Sequence, residues 1–185
     1  WQLQLLDDQT GISLSLSDTE ETRASYPFAF LLEMQVRPLG KALEIRTTIL
    51  NRSEQVMPFS FGLHPYFNVS DLAQVELAGL NERCLNHLEM AETDTSSQLG
   101  RLPDGVDFLC RPAGPVTLID QANGARLQLQ HQEPMDLTVI WTEPPRPMVC
   151  VEPWTGPRQS LISGDRKLEI QPGDRHELSC RYSIS

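Results

Sequence analysis

The sequence predicts an all-β fold, an antiparallel β-sandwich, on three observations. Short apolar runs alternate at period two, clusters of turn-forming residues separate them, and no segment keeps a 3.6-residue apolar period for three turns. Fourteen prolines point the same way, because parallel βαβ units would need long crossover helices that the pattern does not supply.

Ile12, Leu14 and Leu16 alternate with small polar residues, as a half-buried strand requires. Similar runs follow at Leu43 to Leu50, Val75 to Leu77, Val116 to Ile119, Leu127 to Leu129, Leu137 to Trp141, Val149 to Val151, Leu168 to Ile170 and Leu178 to Ile184, which makes about nine strands. The spacers Asp7-Asp8-Gln9-Thr10-Gly11, Asn51-Arg52-Ser53, Ser163-Gly164-Asp165 and Pro172-Gly173-Asp174 carry turn chemistry. Asn123-Gly124, between apolar runs, is a hairpin signal. Asn81 to Glu92 comes nearest to a helical pattern, but its polar residues fall on every side, so little helix is expected. With no internal repeat and no linker, residues 1–185 are expected to form one domain. A strand-like pattern begins almost at once after Trp1, as though the chain were entered in mid-fold. Sheet edges left open by such a start would invite association into a homo-oligomer.

Lys and Arg total 15 against 25 Asp and Glu, a formal net charge of −10, which repels phosphate backbones and anionic membranes. Nucleic acid and membrane are therefore not expected partners, although a local arginine cluster can still receive an anionic small molecule. No run of about 18 apolar residues suggests a membrane span. Cys84, Cys110, Cys150 and Cys180 are scattered, with no CxxC pair. They fit neither a zinc site nor a disulfide framework; reduced thiols and a cytoplasmic location are expected.

Two stretches place titratable groups in unusual company. Phe59-Ser60-Phe61-Gly62-Leu63-His64-Pro65-Tyr66-Phe67-Asn68 sets one histidine among four aromatics, with Gly and Pro to fix the backbone. Val149-Cys150-Val151-Glu152-Pro153-Trp154 drops a carboxylate into an apolar strand end beside an indole, where burial would raise its pKa. Taken alone, each has an ordinary structural explanation: a hydrogen-bonded histidine, and a glutamate that reaches solvent. The apolar setting of Glu152 suits a general base that must hold a proton near neutral pH, and Trp154 offers a flat face for the C–H surface of a sugar. Phosphate-binding glycine loops and a Gly-x-Ser-x-Gly elbow are absent from the sequence.

Gly62-Leu63-His64-Pro65-Tyr66-Phe67-Asn68-Val69 and Val149 to Pro153 resemble the two signature regions of the aldose 1-epimerases, most nearly the hexose-6-phosphate mutarotase-like branch. Further matches run in order through Thr22-Arg23 with Tyr26-Pro27-Phe28, Asn51, Val75 to Leu80, Gly105-Val106-Asp107 and the Pro172-Gly173 turn. The resemblance implies a galactose mutarotase-like sandwich of which this chain is the C-terminal two thirds. The part not matched would supply further basic residues in the phosphosugar branch, or another histidine in the galactose branch.

The implied activity is interconversion of sugar anomers. His64 would donate a proton to the ring oxygen while Glu152 removes one from the anomeric hydroxyl, with no metal or organic cofactor. Asp107 aligns with the family's sugar-binding aspartate, Arg23 with a position that could help hold a phosphate, and Tyr66 and Trp154 complete the substrate-binding candidates. The substrate would be a free aldose or an aldose 6-phosphate. Two other readings remain at this point: a non-catalytic carbohydrate-binding domain, and a glycosidase using Glu152 with Asp107. His87, His131 and His176 lie in polar surroundings without metal-ligand spacing and are expected at the surface.

Overall fold

The computed structural model describes residues 1–8 and 10–185; residue 9, in the predicted turn over 7–11, lies outside them. Its first part is a run of antiparallel neighbours. Strands β1 (Gln2–Leu5), β2 (Ile12–Ser17), β3 (Phe30–Leu39) and β4 (Ala42–Asn51) pair in chain order. Between β2 and β3 sits the short helix α1 (Glu20–Ser25), opened by a capping box in which the Thr19 and Thr22 side chains satisfy each other's backbone N–H.

The rest follows as β5 (Met57–Phe59), β6 (Tyr66–Asn68), β7 (Val75–Asn86), β8 (Ala91–Asp94), α2 (Thr95–Leu99), β9 (Val106–Asp120), β10 (Ala125–Gln130), β11 (Leu137–Thr142), β12 (Met148–Trp154), α3 (Ser160–Ser163), β13 (Leu168–Ile170) and β14 (Arg175–Ile184). One large sheet runs in the order β1-β2-β3-β4-β14-β10-β9-β11-β12-β6, with β7 also on β9 and β8 on β7, while β13 and β5 form a separate pair. Every pairing is antiparallel. The architecture is an antiparallel β-sandwich, as the sequence predicts.

Strand β9 organises the sheet because its two halves have different partners. Val106 to Cys110 pairs with β11, and Val116 to Asp120 pairs with β10, while β7 runs along both halves. The register of β7 on β9 shifts on either side of Leu80. Gly79 makes the close passage possible: its φ is +87°, and a Cβ there would lie 2.2 Å from the Pro115 carbonyl oxygen. The two ends of β9 thereby serve different parts of one core. Phe108, Cys110, Val116, Leu129, Ile140, Val149 and Val151 are fully buried in it, and the Tyr182 hydroxyl donates to the Val151 carbonyl at 3.0 Å. A second cluster gathers Ile49, Met57, Phe59, Met135, Ile170 and Leu178, with Tyr26, Phe28 and, from β3, Phe30 and Leu32 packed against it.

Each predicted strand falls on a strand of the structure, and the predicted Asn123-Gly124 turn joins β9 to β10. The differences are instructive. The segment closest to a helical pattern, Asn81 to Glu92, is the end of β7, a turn and the start of β8. Val116 to Ile119 is the tail of a 15-residue strand. All four cysteines are buried and free. Among the described residues no helix is long and apolar enough to cross a membrane.

Candidate active site

Strand β12 carries the candidate base because it is covered on both faces. Val149 and Val151 point into the core, which sends Cys150 and Glu152 to the opposite face. The segment leading into β6 is laced to this strand. Thr155 N donates to Phe61 O at 2.9 Å, Phe61 N to Thr155 Oγ1 at 2.8 Å, and Leu63 N to Pro153 O at 3.2 Å. Gly62 bridges to Trp154 and Tyr66 pairs with Cys150, so the register between them sets His64 opposite Glu152. Gly62 is required here: a Cβ would lie 2.7 Å from the Trp154 ring.

His64 Nδ1 lies 3.3 Å from Glu152 Oε1, with the histidine side chain 51% exposed and the glutamate 1%. The imidazole stacks on Tyr66, with centroids 4.8 Å apart and planes at 9°, and meets Trp141 edge-on. Trp154 Nε1 donates to Glu152 Oε2 at 3.0 Å. A cleft of about 380 Å³ opens over the pair, lined by Phe61, Gly62, His64, Glu152, Trp154 and Arg158 among others. The site therefore presents an accessible imidazole beside a buried carboxylate.

Burial pushes Glu152 up to about 7; the Trp154 hydrogen bond and the Arg158 charge pull the other way, and the Asp107 charge adds to the rise. A carboxyl poised there can both accept and release a proton at neutral pH. A folded-state value above the unfolded one means that the native protein binds the extra proton, so stability falls as pH rises from about 4.5 through about 7. The penalty is complete above that window and absent below it. Its size is on the order of 3 kcal/mol. Glu152→Gln should accordingly be more stable than wild type at pH 8 by up to about that amount and gain nothing at pH 4. Urea midpoints at the two pH values check this, and an equal gain at both would show that ionisation is not its source.

The other candidates divide. Asp107 sits at the start of β9 with both oxygens occupied: His87 Nδ1 is 2.7 Å from Oδ1, and an Arg158 guanidinium nitrogen donates to Oδ2 at 2.6 Å. Burial pushes its carboxyl up, but His87 and Arg158 outweigh this and hold it below its ordinary value. Tyr66 and Trp154 stand at the pair, on His64 and Glu152 respectively. Arg23 lies on α1 with its side chain 54% exposed and Nε 3.0 Å from Asp18 Oδ2; it is not part of the cleft wall.

The surface placement expected for the remaining histidines is not what the structure shows. His87 is buried, because the end of β7 runs beside β9 and turns its ring onto Asp107; His131 and His176 are half-buried, the first on Thr138 and the second edge-on to Phe59. Burial pushes His131 down to about 4. Arg158 was not anticipated either, and the signal for it was its place in the Gly156-Pro157-Arg158 loop just after the Glu152 segment.

His64, Cys150 and Glu152 each bring one potential ligand atom within 4.8 Å of the others. Burial and the Glu152 charge push the Cys150 thiol up to about 12, so a cation would have to displace that proton as well as occupy the His64 and Glu152 atoms.

The sequence profile of the aldose 1-epimerase family matches residues 1–183. The chain belongs to that family. Among curated relatives of this aldose 1-epimerase family member is an Escherichia coli protein named "Putative glucose-6-phosphate 1-epimerase", 28% identical over 163 residues, which are 86% of this chain and 49% of the relative. The chain thus spans about half the length of that relative. Among solved structures, the Slr1438 protein from Synechocystis sp. PCC 6803 superposes with a TM-score of 0.93 at 26% identity, covering 100% of this chain and 65% of that one. A galactose mutarotase related enzyme from Lactobacillus acidophilus matches with a TM-score of 0.76 at 19% identity, over 96% and 68% of the two chains, and shows the shared fold.

Proposed function

We propose that this chain carries the acid–base centre of a sugar mutarotase that interconverts the α and β anomers of an aldose or aldose 6-phosphate, with His64 as general acid and Glu152 as general base. One observation carries the reading: a half-exposed imidazole touches a buried carboxylate, raised to about 7, at the floor of an open cleft. Family membership and the curated relative's name support it.

The chemistry balances with these two groups. Glu152 takes the proton of the anomeric hydroxyl while His64 gives one to the ring oxygen; the C1–O5 bond breaks and an open-chain aldehyde forms. Rotation about C1–C2 presents the other face of the carbonyl. Reclosure then returns each proton to its donor, so no net proton, electron or group is consumed. Direct contact at 3.3 Å also lets the pair exchange a proton between turnovers. Trp154, anchored through its indole N–H, offers its ring face to the apolar side of the pyranose. Tyr66 keeps the imidazole plane fixed. The two-carboxylate hydrolytic reading loses support, because both Asp107 oxygens are already engaged. Four buried free thiols support a reducing compartment such as the cytoplasm.

The test is the rate at which pure α-glucose and α-glucose 6-phosphate approach anomeric equilibrium with and without protein. Acceleration of at least one is expected; acceleration of neither, or release of a second sugar from a glycoside, would sink the reading. For the phosphate, the resemblance points to Arg23, and the geometry demands that it first leave Asp18. Arg23→Ala should then weaken handling of the 6-phosphate by about tenfold and spare the free sugar. Equal rates on both substrates, or equal losses, would remove Arg23 from the site.

A further inference from the structure

Behind the acid–base pair runs a polar network that the proton transfers do not use. The Trp154 indole, which donates to Glu152, lies on the ring of His87, with centroids 6.1 Å apart and planes at 30°. His87 grips Asp107 twice: its backbone N–H donates to the Asp107 carbonyl at 2.8 Å, and its Nδ1 is 2.7 Å from Oδ1. Asp107 in turn accepts from Arg158 at 2.6 Å. Side-chain exposure rises along this series, from 0% at His87 through 10% at Asp107 to 47% at Arg158. Only the last of the three forms part of the cleft wall.

We propose that Arg158 is the cleft's substrate-contacting cation, and that buried His87 and Asp107 are positioning residues that aim its guanidinium at the ring hydroxyls of the sugar. The inference rests on the mutarotase reading and deepens it.

Three features support this division of labour. A guanidinium carries five N–H donors in a rigid fork, so one bond to Asp107 orients the fork and leaves other donors for a ligand. Without that anchor the long side chain, on the loop after Gly156 and Pro157, would sample many rotamers. Second, His87 is a poor choice for stability alone. Its Nε2 is buried with no hydrogen-bond partner among the described residues, a cost that an apolar side chain would avoid. What an apolar side chain could not supply is the second grip on Asp107. Third, the charge of Arg158 is already balanced by Asp107, so the pair is neutral overall. A compensated guanidinium suits uncharged hydroxyls better than a phosphate dianion, which would compete with Asp107 for the same fork.

The experiment measures KM and kcat for anomerisation of glucose and of glucose 6-phosphate. Arg158→Ala should raise KM by at least about tenfold on both sugars, with kcat changed by less than about threefold, as expected for loss of a charge-assisted contact made equally before and during reaction. His87→Leu should do the same, and should add little in the Arg158→Ala background because both changes remove one contact. His87→Asn, whose amide can donate from near the Nδ1 position, should recover most of the loss. A structural role alone would not produce that rescue. A ¹H–¹⁵N spectrum of the Arg158 side chain provides a readout independent of turnover: an ordered Nε–H signal in wild type, averaged in His87→Leu.

Unchanged KM in Arg158→Ala, a loss confined to the 6-phosphate, or equal defects in His87→Leu and His87→Asn would each overturn the proposal. Should His87→Leu fail to fold, Arg158→Ala, a change at a half-exposed position, decides. If wild type accelerates neither sugar, this inference falls with the mutarotase reading. If wild type is active and Glu152→Gln is not, a failure at Arg158 counts against this inference alone.

Discussion

Glu152→Gln should lower the rate of anomer interconversion by at least about a hundredfold while leaving sugar binding nearly intact. The amide keeps the volume of a side chain that is 1% exposed, so the packing around it survives. It also keeps an oxygen that can accept from Trp154 Nε1. What it loses is the ability to take the anomeric proton. The expected signature is a fall in kcat with KM little changed, because the group acts in the transition state. A proportional rise in KM would instead place Glu152 among the groups that merely hold the sugar.

His64→Asn should produce a loss of comparable size, about a hundredfold or more, for the complementary reason. Asparagine retains a polar group near Nδ1 but no ring, so no second nitrogen can deliver a proton into the cleft. The stack on Tyr66 goes as well. Because His64 is half-exposed, stability should change by less than about 1 kcal/mol, which separates a catalytic defect from unfolding. Thermal melting of the same samples checks that point.

Much of the fold was legible because half-buried strands write their pattern plainly. Ile12–Ser17 alternates apolar and polar residues, and β2 lies along that run. β9 was harder to read. Arg111-Pro112-Ala113-Gly114-Pro115 has the composition of a loop, yet lies within a strand whose register against β7 is broken where Gly79 passes Pro115. Proline and glycine here mark an irregular ladder rather than its end. Strand β6 is three residues long, too short to show a period.

The site divides along the same line. His64 and Glu152 drew notice through the residue types around them but were singled out as a pair only by the resemblance to the aldose 1-epimerases; the register from Gly62–Trp154 to Tyr66–Cys150 supplies the physical reason that they meet. His87 and Arg158 were not, because what identifies them is contact with Asp107 across 20 and 51 positions. Local composition argued the other way: beside Asn86 and Glu89, His87 reads as a solvated residue, and only the pairing of β7 with β9 buries it.

The most direct test of the central claim is NMR exchange spectroscopy on an equilibrated anomer mixture, comparing wild type, Glu152→Gln, His64→Asn and the double variant at equal concentration. If the two groups serve one proton-transfer cycle, the double variant should exchange anomers about as slowly as the slower single variant, far faster than the product of the two losses would give. Fully multiplicative losses would mean that His64 and Glu152 act in separate steps, and near-normal exchange in Glu152→Gln would mean that the base is another residue.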